Sequence, residues 1–212
     1  MRIVSPSADN APMRRIGGSD IAKLLGLSKY GGPREVYARI VEGVEDAWNA
    51  PMERGAYMEP VLRAHGQRLL GWELEDVASE YVDCRQHEFA RAQLDDLARW
   101  KGAPVVVEYK SQSQYARGWL HGSEGDVIPE GYAAQVAWQL MCTERELAVV
   151  VVGFGQDTKD GGFSLSNVTH YEVQREPEFE AYCLLVAKEF WEQHVLRRVP
   201  PVTQPRNKRR VS

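Results

Sequence analysis

The sequence predicts one α/β domain built on a central mixed β-sheet flanked by helices, and three observations carry that expectation. Pro104-Val105-Val106-Val107-Glu108-Tyr109-Lys110 begins as an unbroken β-branched run, which suits a strand covered on both faces. Residues 146–154 and 165–173 read as two apolar strands, and Gly161-Gly162 between them marks a hairpin turn. Helical spacing of Ala134, Trp138 and Met141 places a helix over 132–142, between the two strand regions.

The remaining elements follow in chain order. Gly17-Gly18-Ser19-Asp20 opens an apolar-periodic helix over 21–27, with Ser19 placed as its cap. Pro33, at home in a first turn, starts a second helix that reaches about residue 42. Residues 44–50 read as a loop, and a longer helix spans 52–70 and stops at Gly71. Pro60 inside it predicts a kink or a start near that point. The period then changes, and 73–83, 88–94 and 104–110 are expected as three strands joined by short turns. Residues 112–128 are polar and read as a surface loop, and 179–195 form an amphipathic closing helix. The order α-α-β-β-β-α-β-β-α suits a mixed sheet between helices. Residues 1–12 are expected to be unstructured, 13–199 to form the domain, and 200–212 to be a basic, proline-containing tail ending around Lys208-Arg209-Arg210.

With 212 residues, 43% of them hydrophobic and 26% charged, the chain can bury a sizeable core. A net charge of −4 counts against a module that coats nucleic acid through a basic exterior. It leaves room for an enzyme that grips DNA in a local basic groove. The longest apolar run, 147–154, is far short of the roughly 20 residues of a membrane span. The first fifteen residues hold no apolar block of the kind a secretory signal needs. Cys84, Cys142 and Cys183 are widely spaced and odd in number, which points to a reducing compartment rather than a disulfide framework or zinc cluster. The histidines are scattered too, so any metal would be held by oxygen, favouring magnesium or manganese.

Side chains alternate along a strand, so Glu108 and Lys110 share a face while Tyr109 points the other way. An acidic pair, Asp95-Asp96, lies just upstream. One reading is that Asp95 and Glu108 hold a divalent cation while Lys110 orients a water or steadies negative charge. The other is a strand that surfaces into solvent with a weak exposed ion pair. Glu59, on the long helix, is either a site carboxylate or a solvated helix acid. Gln135 is either a site amide or an ordinary helix-surface one. A helix N-terminus, the Ser19 hydroxyl and an arginine at 14 or 15 together make a sensible anion site, and Ser19 can also be only a cap.

In order, the chain carries I-G-G-S-D from Ile16, G-x-x-x-E-P from Gly55, L-D-D from Leu94, V-E-Y-K from Val107 and A-Q-V from Ala134, with Gln139 following. This series resembles the phage lambda exonuclease family, the YqaJ-like viral recombinases or phage alkaline exonucleases, within the PD-(D/E)XK nuclease superfamily. The resemblance implies a restriction-endonuclease-like fold and a magnesium-dependent 5′→3′ exonuclease, with manganese as an alternative ion. Such an enzyme degrades one strand of linear double-stranded DNA to 5′-mononucleotides and leaves a 3′ single-stranded tail. It implies Asp95, Glu108 and the Tyr109 carbonyl as ligands of two cations about 4 Å apart, Lys110 as the group that activates water, and Glu59 and Gln135 beside them. Ser19 with Arg14 or Arg15 would recognise a 5′ phosphate.

The family further implies a ring-shaped homotrimer, a single-strand annealing protein as partner, and the cytoplasm of a bacterial host for a phage or prophage product. The chain departs from the family pattern at Asp96, where relatives usually carry glycine, and at Gln93, where they can carry a phosphate-contacting serine. The iron–sulfur branch of the superfamily needs four cysteines and is excluded. Trp119, Trp138 and Trp191 are expected in the core or at an interface rather than as base-stacking platforms. Tyr115, Arg117 and His121, in the loop after the acidic strand, are candidates for tracking DNA. An endonuclease on the same fold and a catalytically silent DNA-binding relative are the competing functions.

Overall fold

The computed structural model describes residues 14–44, 49–75, 81–123 and 125–202. The expected N-terminal segment 1–12 and all of the expected tail beyond Val202 lie outside the described residues. The helices are α1 (Gly18–Leu24), α2 (Pro33–Tyr37, running on as a π-helical turn over Ala38–Glu42), α3 (Ala50–Leu70), α4 (Glu130–Thr143) and α5 (Pro177–Phe190, running on as a π-helical turn over Trp191–Val195). The strands are β1 (Glu73–Leu74), β2 (Tyr81–Asp83), β3 (Arg91–Gln93), β4 (Asp96–Trp100), β5 (Ala103–Ser113), β6 (Leu147–Asp157) and β7 (Phe163–Gln174).

The main sheet has the order β1-β4-β5-β6-β7. Only β5 and β6 are parallel; α4 makes the crossover between them, and the other neighbours are antiparallel. Strands β2 and β3 form a separate antiparallel pair. The β-branched run behaves as its composition demands, because Val105, Val106 and Val107 are all fully buried. On one face Val105, Val107 and Tyr109, with Val149 and Val151 of β6, pack against Met58 and Leu62 of α3. On the other, Val106, Val150 and Val152 pack against Ala134 and Trp138 of α4, Ile21 of α1 and Ala187 of α5. Each buried valine contributes roughly 1.5–3 kcal/mol. No helix among the described residues is long and apolar enough to cross a membrane.

Several sequence expectations change. Of the expected strand over 73–83, residues 76–80 lie outside the described residues; Glu73 and Leu74 pair with Arg99 and Ala98 at the edge of the main sheet, whereas β2 pairs with β3. The stretch 88–94 contributes only Arg91–Gln93 as strand. Strand β4 was not expected. It forms a hairpin with β5 through Lys101-Gly102, both at positive φ (50° and 81°), as a two-residue hairpin turn requires. Helix α3 begins at Ala50, where the Asn49 side chain accepts the Met52 N–H (3.1 Å), so it takes in the last residue of the expected loop over 44–50, of which 45–48 lie outside the described residues. The helix passes through Pro60 unbroken, with buried Met58 and Leu62 pinning it to the sheet on either side. Ser19 is not the cap of α1. Gly17 is, and the Asp20 carboxylate reaches back to accept the Gly17 N–H (2.7 Å).

Candidate active site

The site begins where a ladder ends. The last β4–β5 pair is Asp96 with Val107, yet β5 continues beside β6 to Ser113. Beyond Val107 one edge of β5 therefore has no neighbouring strand. The Tyr109 N–H on that edge donates instead to Asp95 Oδ2 (2.7 Å). In an extended strand the N–H and C=O of one residue lie on the same edge, so the Tyr109 carbonyl faces the same notch.

Glu108 is 2% exposed, and the side chains of Lys110, Gln135 and Gln139 donate to it. Its Oε1 accepts from Lys110 Nζ and from Gln135 Nε2 (2.7 Å), and its Oε2 accepts from Gln139 Nε2 (2.6 Å). Glu108 and Lys110 share a face of β5 as alternation predicts, and the exposed-pair reading fails because both side chains are largely buried. Lys110 also lies over the Tyr132 ring, 5.3 Å from its centre.

Electrostatics show crowded negative charge. Burial, then the charge of Glu108, push the Asp95 carboxyl up to about 8, against the opposing pull of Lys110 and the Tyr109 N–H. Glu59, on the exposed rim of α3, is also raised, first by burial and then by the charges of Asp96 and Glu108. Burial would depress Lys110, but Glu108 and Asp95 outweigh it and hold the ammonium above its ordinary range. Two carboxylates and a main-chain carbonyl around one notch are hard oxygen donors, and their mutual repulsion is what a bound cation relieves. Among the described residues no three Asp, Glu, His or Cys side chains gather closely enough to cage an ion unaided. That donor set fits magnesium, which keeps several of its waters.

On the opposite face of β5, Tyr109 is buried. Its hydroxyl donates to Asp96 Oδ2 (2.8 Å), and Arg63 Nη2 of α3 donates to Asp96 Oδ1 (2.8 Å). Burial, then the Asp96 hydrogen bond, hold the phenol well above its usual range.

The start of α1 closes the other side. A Cβ on Gly18 would stand 3.1 Å from Gln135 Cγ, so α1 rests directly on the residue that binds Glu108. Ser19 is exposed at the next position. Arg15 forms an ion pair with Asp83, which raises its pKa, while Arg14 is exposed. Trp119 and Trp138 are core residues, and the Trp138 indole bridges the Ile16 and Arg91 carbonyls (3.3 and 3.1 Å). Trp191 is half-buried and stacks on Phe89. Tyr115 and Arg117 are exposed, whereas His121 stacks on Tyr171 and bonds Asp126 (2.9 Å).

Gln139, in the sequence only the last position of the motif series, belongs to this site. Its spacing of one helical turn from Gln135 carried the signal. The Arg63–Asp96–Tyr109 set had none, since its members come from three elements.

A mixed sheet with α3 on one face, helices α1, α4 and α5 on the other, and D…E-x-K beside the parallel strand pair defines the PD-(D/E)XK class of fold. A profile of the YqaJ-like viral recombinase domain matches residues 10–146, and the chain belongs to that family. Among solved structures it is similar to LHK-Exo, an alkaline exonuclease from Laribacter hongkongensis. The structure of LHK-Exo in complex with dAMP is 17% identical, with a TM-score of 0.58 over 87% of this chain and 92% of that one. It is also similar to a phage-related exonuclease from Haemophilus somnus 129PT (13% identity, TM-score 0.60, 88% and 97% covered). A SOX–DNA complex aligns at 11% identity and TM-score 0.62, covering 88% of this chain and 66% of that one. No curated protein matches by sequence.

Proposed function

We propose that the protein is a divalent-cation-dependent 5′→3′ exonuclease acting on linear double-stranded DNA. The observation that carries this reading is the notch past Val107, where Asp95, Glu108, the Tyr109 carbonyl edge and the Lys110 ammonium converge. Family membership and the fold shared with LHK-Exo, solved with dAMP, and with the SOX–DNA complex support it; dAMP is a mononucleotide of the product class proposed.

Asp95, Glu108 and the Tyr109 carbonyl would hold the cation, magnesium or manganese, whose chemistry when bound is to polarise the phosphate and acidify water. Lys110, kept protonated by its carboxylate neighbours, donates hydrogen bonds to an incoming water or to the phosphate oxygens. Gln135 and Gln139 fix the two oxygens of Glu108, and Glu59 adds charge at the rim. Ser19 takes the 5′ phosphate with Arg14 or Arg15, the latter ion-paired with Asp83 in the absence of DNA. A homotrimeric ring on DNA and an annealing-protein partner in recombination belong to the same reading, and light scattering that finds only a 24 kDa species would remove the ring.

The test is incubation with Mg2+ and 5′-phosphorylated linear duplex. Mononucleotides should appear while closed circular plasmid stays intact, and Asp95→Ala or Lys110→Ala should abolish release with DNA binding retained. Nicking of the closed circle, or full activity in either variant, would overturn the assignment.

A further inference from the structure

Past Val107 nothing in the main-chain ladder holds the end of β5 against β4, yet the site demands fixed geometry there. Consecutive aspartates replace the ladder: Asp95 takes the Tyr109 N–H and Asp96 takes the Tyr109 hydroxyl. Asp96 is only 7% exposed, and burying a carboxylate costs several kcal/mol unless it is fully paired. An apolar side chain would fill the same place more cheaply. Here the carboxylate is paired twice, by groups from two different elements, Tyr109 of β5 and Arg63 of α3.

Arg63 lies one helical turn after Glu59, on the same face of α3. One turn earlier, α3 is tied to the same end of the sheet by polar contacts, Arg54 Nη1 to Asp157 Oδ1 of β6 (2.8 Å) and the Phe163 N–H of β7 to the Tyr57 hydroxyl (3.3 Å). Against β5 its packing is apolar, through Met58 and Leu62, and apolar contact is non-directional. The Arg63–Asp96–Tyr109 hydrogen bonds give α3 a directional tie to β5 itself. We propose that Asp96 is a positioning residue that locks α3 to the end of β5 and so sets where the Glu59 carboxylate stands relative to Asp95 and Glu108. The inference rests on the metal-nuclease reading above.

The test reads Mn2+ binding by electron paramagnetic resonance on the full chain without DNA, together with kcat and KM on linear duplex. Asp96→Ala should weaken Mn2+ binding about tenfold and lower kcat with KM little changed. Asp96→Asn, whose Oδ1 still accepts from Arg63 while its amide nitrogen donates to the Tyr109 hydroxyl oxygen, should recover most of both. In a Glu59→Gln background Asp96→Ala should cost nothing further, because the carboxylate it positions is gone. Equal losses in both backgrounds, no loss in either, or a wild type that binds no Mn2+ would overturn the proposal. Should Asp96→Ala fail to fold, Tyr109→Phe removes one of the two hydrogen bonds and is read in the same cycle. A wild type that binds Mn2+ but leaves linear duplex intact refutes the nuclease reading, while the Mn2+ cycle still decides the place of Asp96.

Discussion

Gln139 Nε2 donates to Glu108 Oε2 at 2.6 Å, and neither side chain is more than 2% exposed. The same nitrogen donates to the Gln93 carbonyl (3.0 Å), so one buried amide ties α4 to β3 and to the central carboxylate. Gln139→Leu keeps the volume and leaves Glu108 Oε2 buried without that donor. The expected loss is about 1–3 kcal/mol of stability in denaturant titration, with a lower cleavage rate. Unchanged stability would mean that Glu108 is held by Gln135 and Lys110 alone.

Asp83 supplies a pH prediction away from the notch. Hydrogen bonds from Arg91 and then Arg15 lower its carboxyl to about 2. A depressed carboxylate contributes stability that is complete above its unfolded value, near 4, and is lost as pH falls through the folded value. Half of the side chain is exposed, so solvent screening keeps the contribution below about 1 kcal/mol. Thermal melts of wild type and Asp83→Asn should therefore differ at pH 6 and converge as pH approaches 2. A gap that widens with acid would contradict the pairing.

Gly155 marks a register shift in the β6–β7 hairpin. A Cβ there would collide with the Ser164 carbonyl oxygen and stand 2.8 Å from the Phe163 ring. Backbone cannot yield as a flexible side chain can, so Gly155→Ala should cost roughly 1–3 kcal/mol in equilibrium unfolding. A neutral substitution would show that the hairpin shifts register freely.

The parts of the fold that the sequence made legible are those whose burial is written locally. The valines of β5 and the apolar run of β6 announce strands covered on both faces, and Ala134, Trp138 and Met141 announce the helix between them. Strand β4 lacked such a signature, since Asp96-Leu97-Ala98-Arg99-Trp100 holds no β-branched residue and is defined by pairing with β5. Ser19 was misplaced because Ser-Asp before an apolar run resembles a cap, whereas Asp20 reaches back to Gly17. In the site, alternation put Glu108 and Lys110 on one face of β5, and the order of the motifs set Asp95, Glu59 and Gln135 beside them. Arg63 and Asp96 are 33 positions apart, and only the packing of α3 on the sheet brings them together.

The approach of Gly18 to Gln135 has a consequence of its own. From the surface at Ser19 to the Glu108 carboxylate the path is short: a helix start, one glutamine, one hydrogen bond of 2.7 Å. A side chain at 18 would press on Gln135 and so on the hydrogen bond that orients Glu108; the smallest residue at the helix start is therefore part of how the central carboxylate keeps its aim.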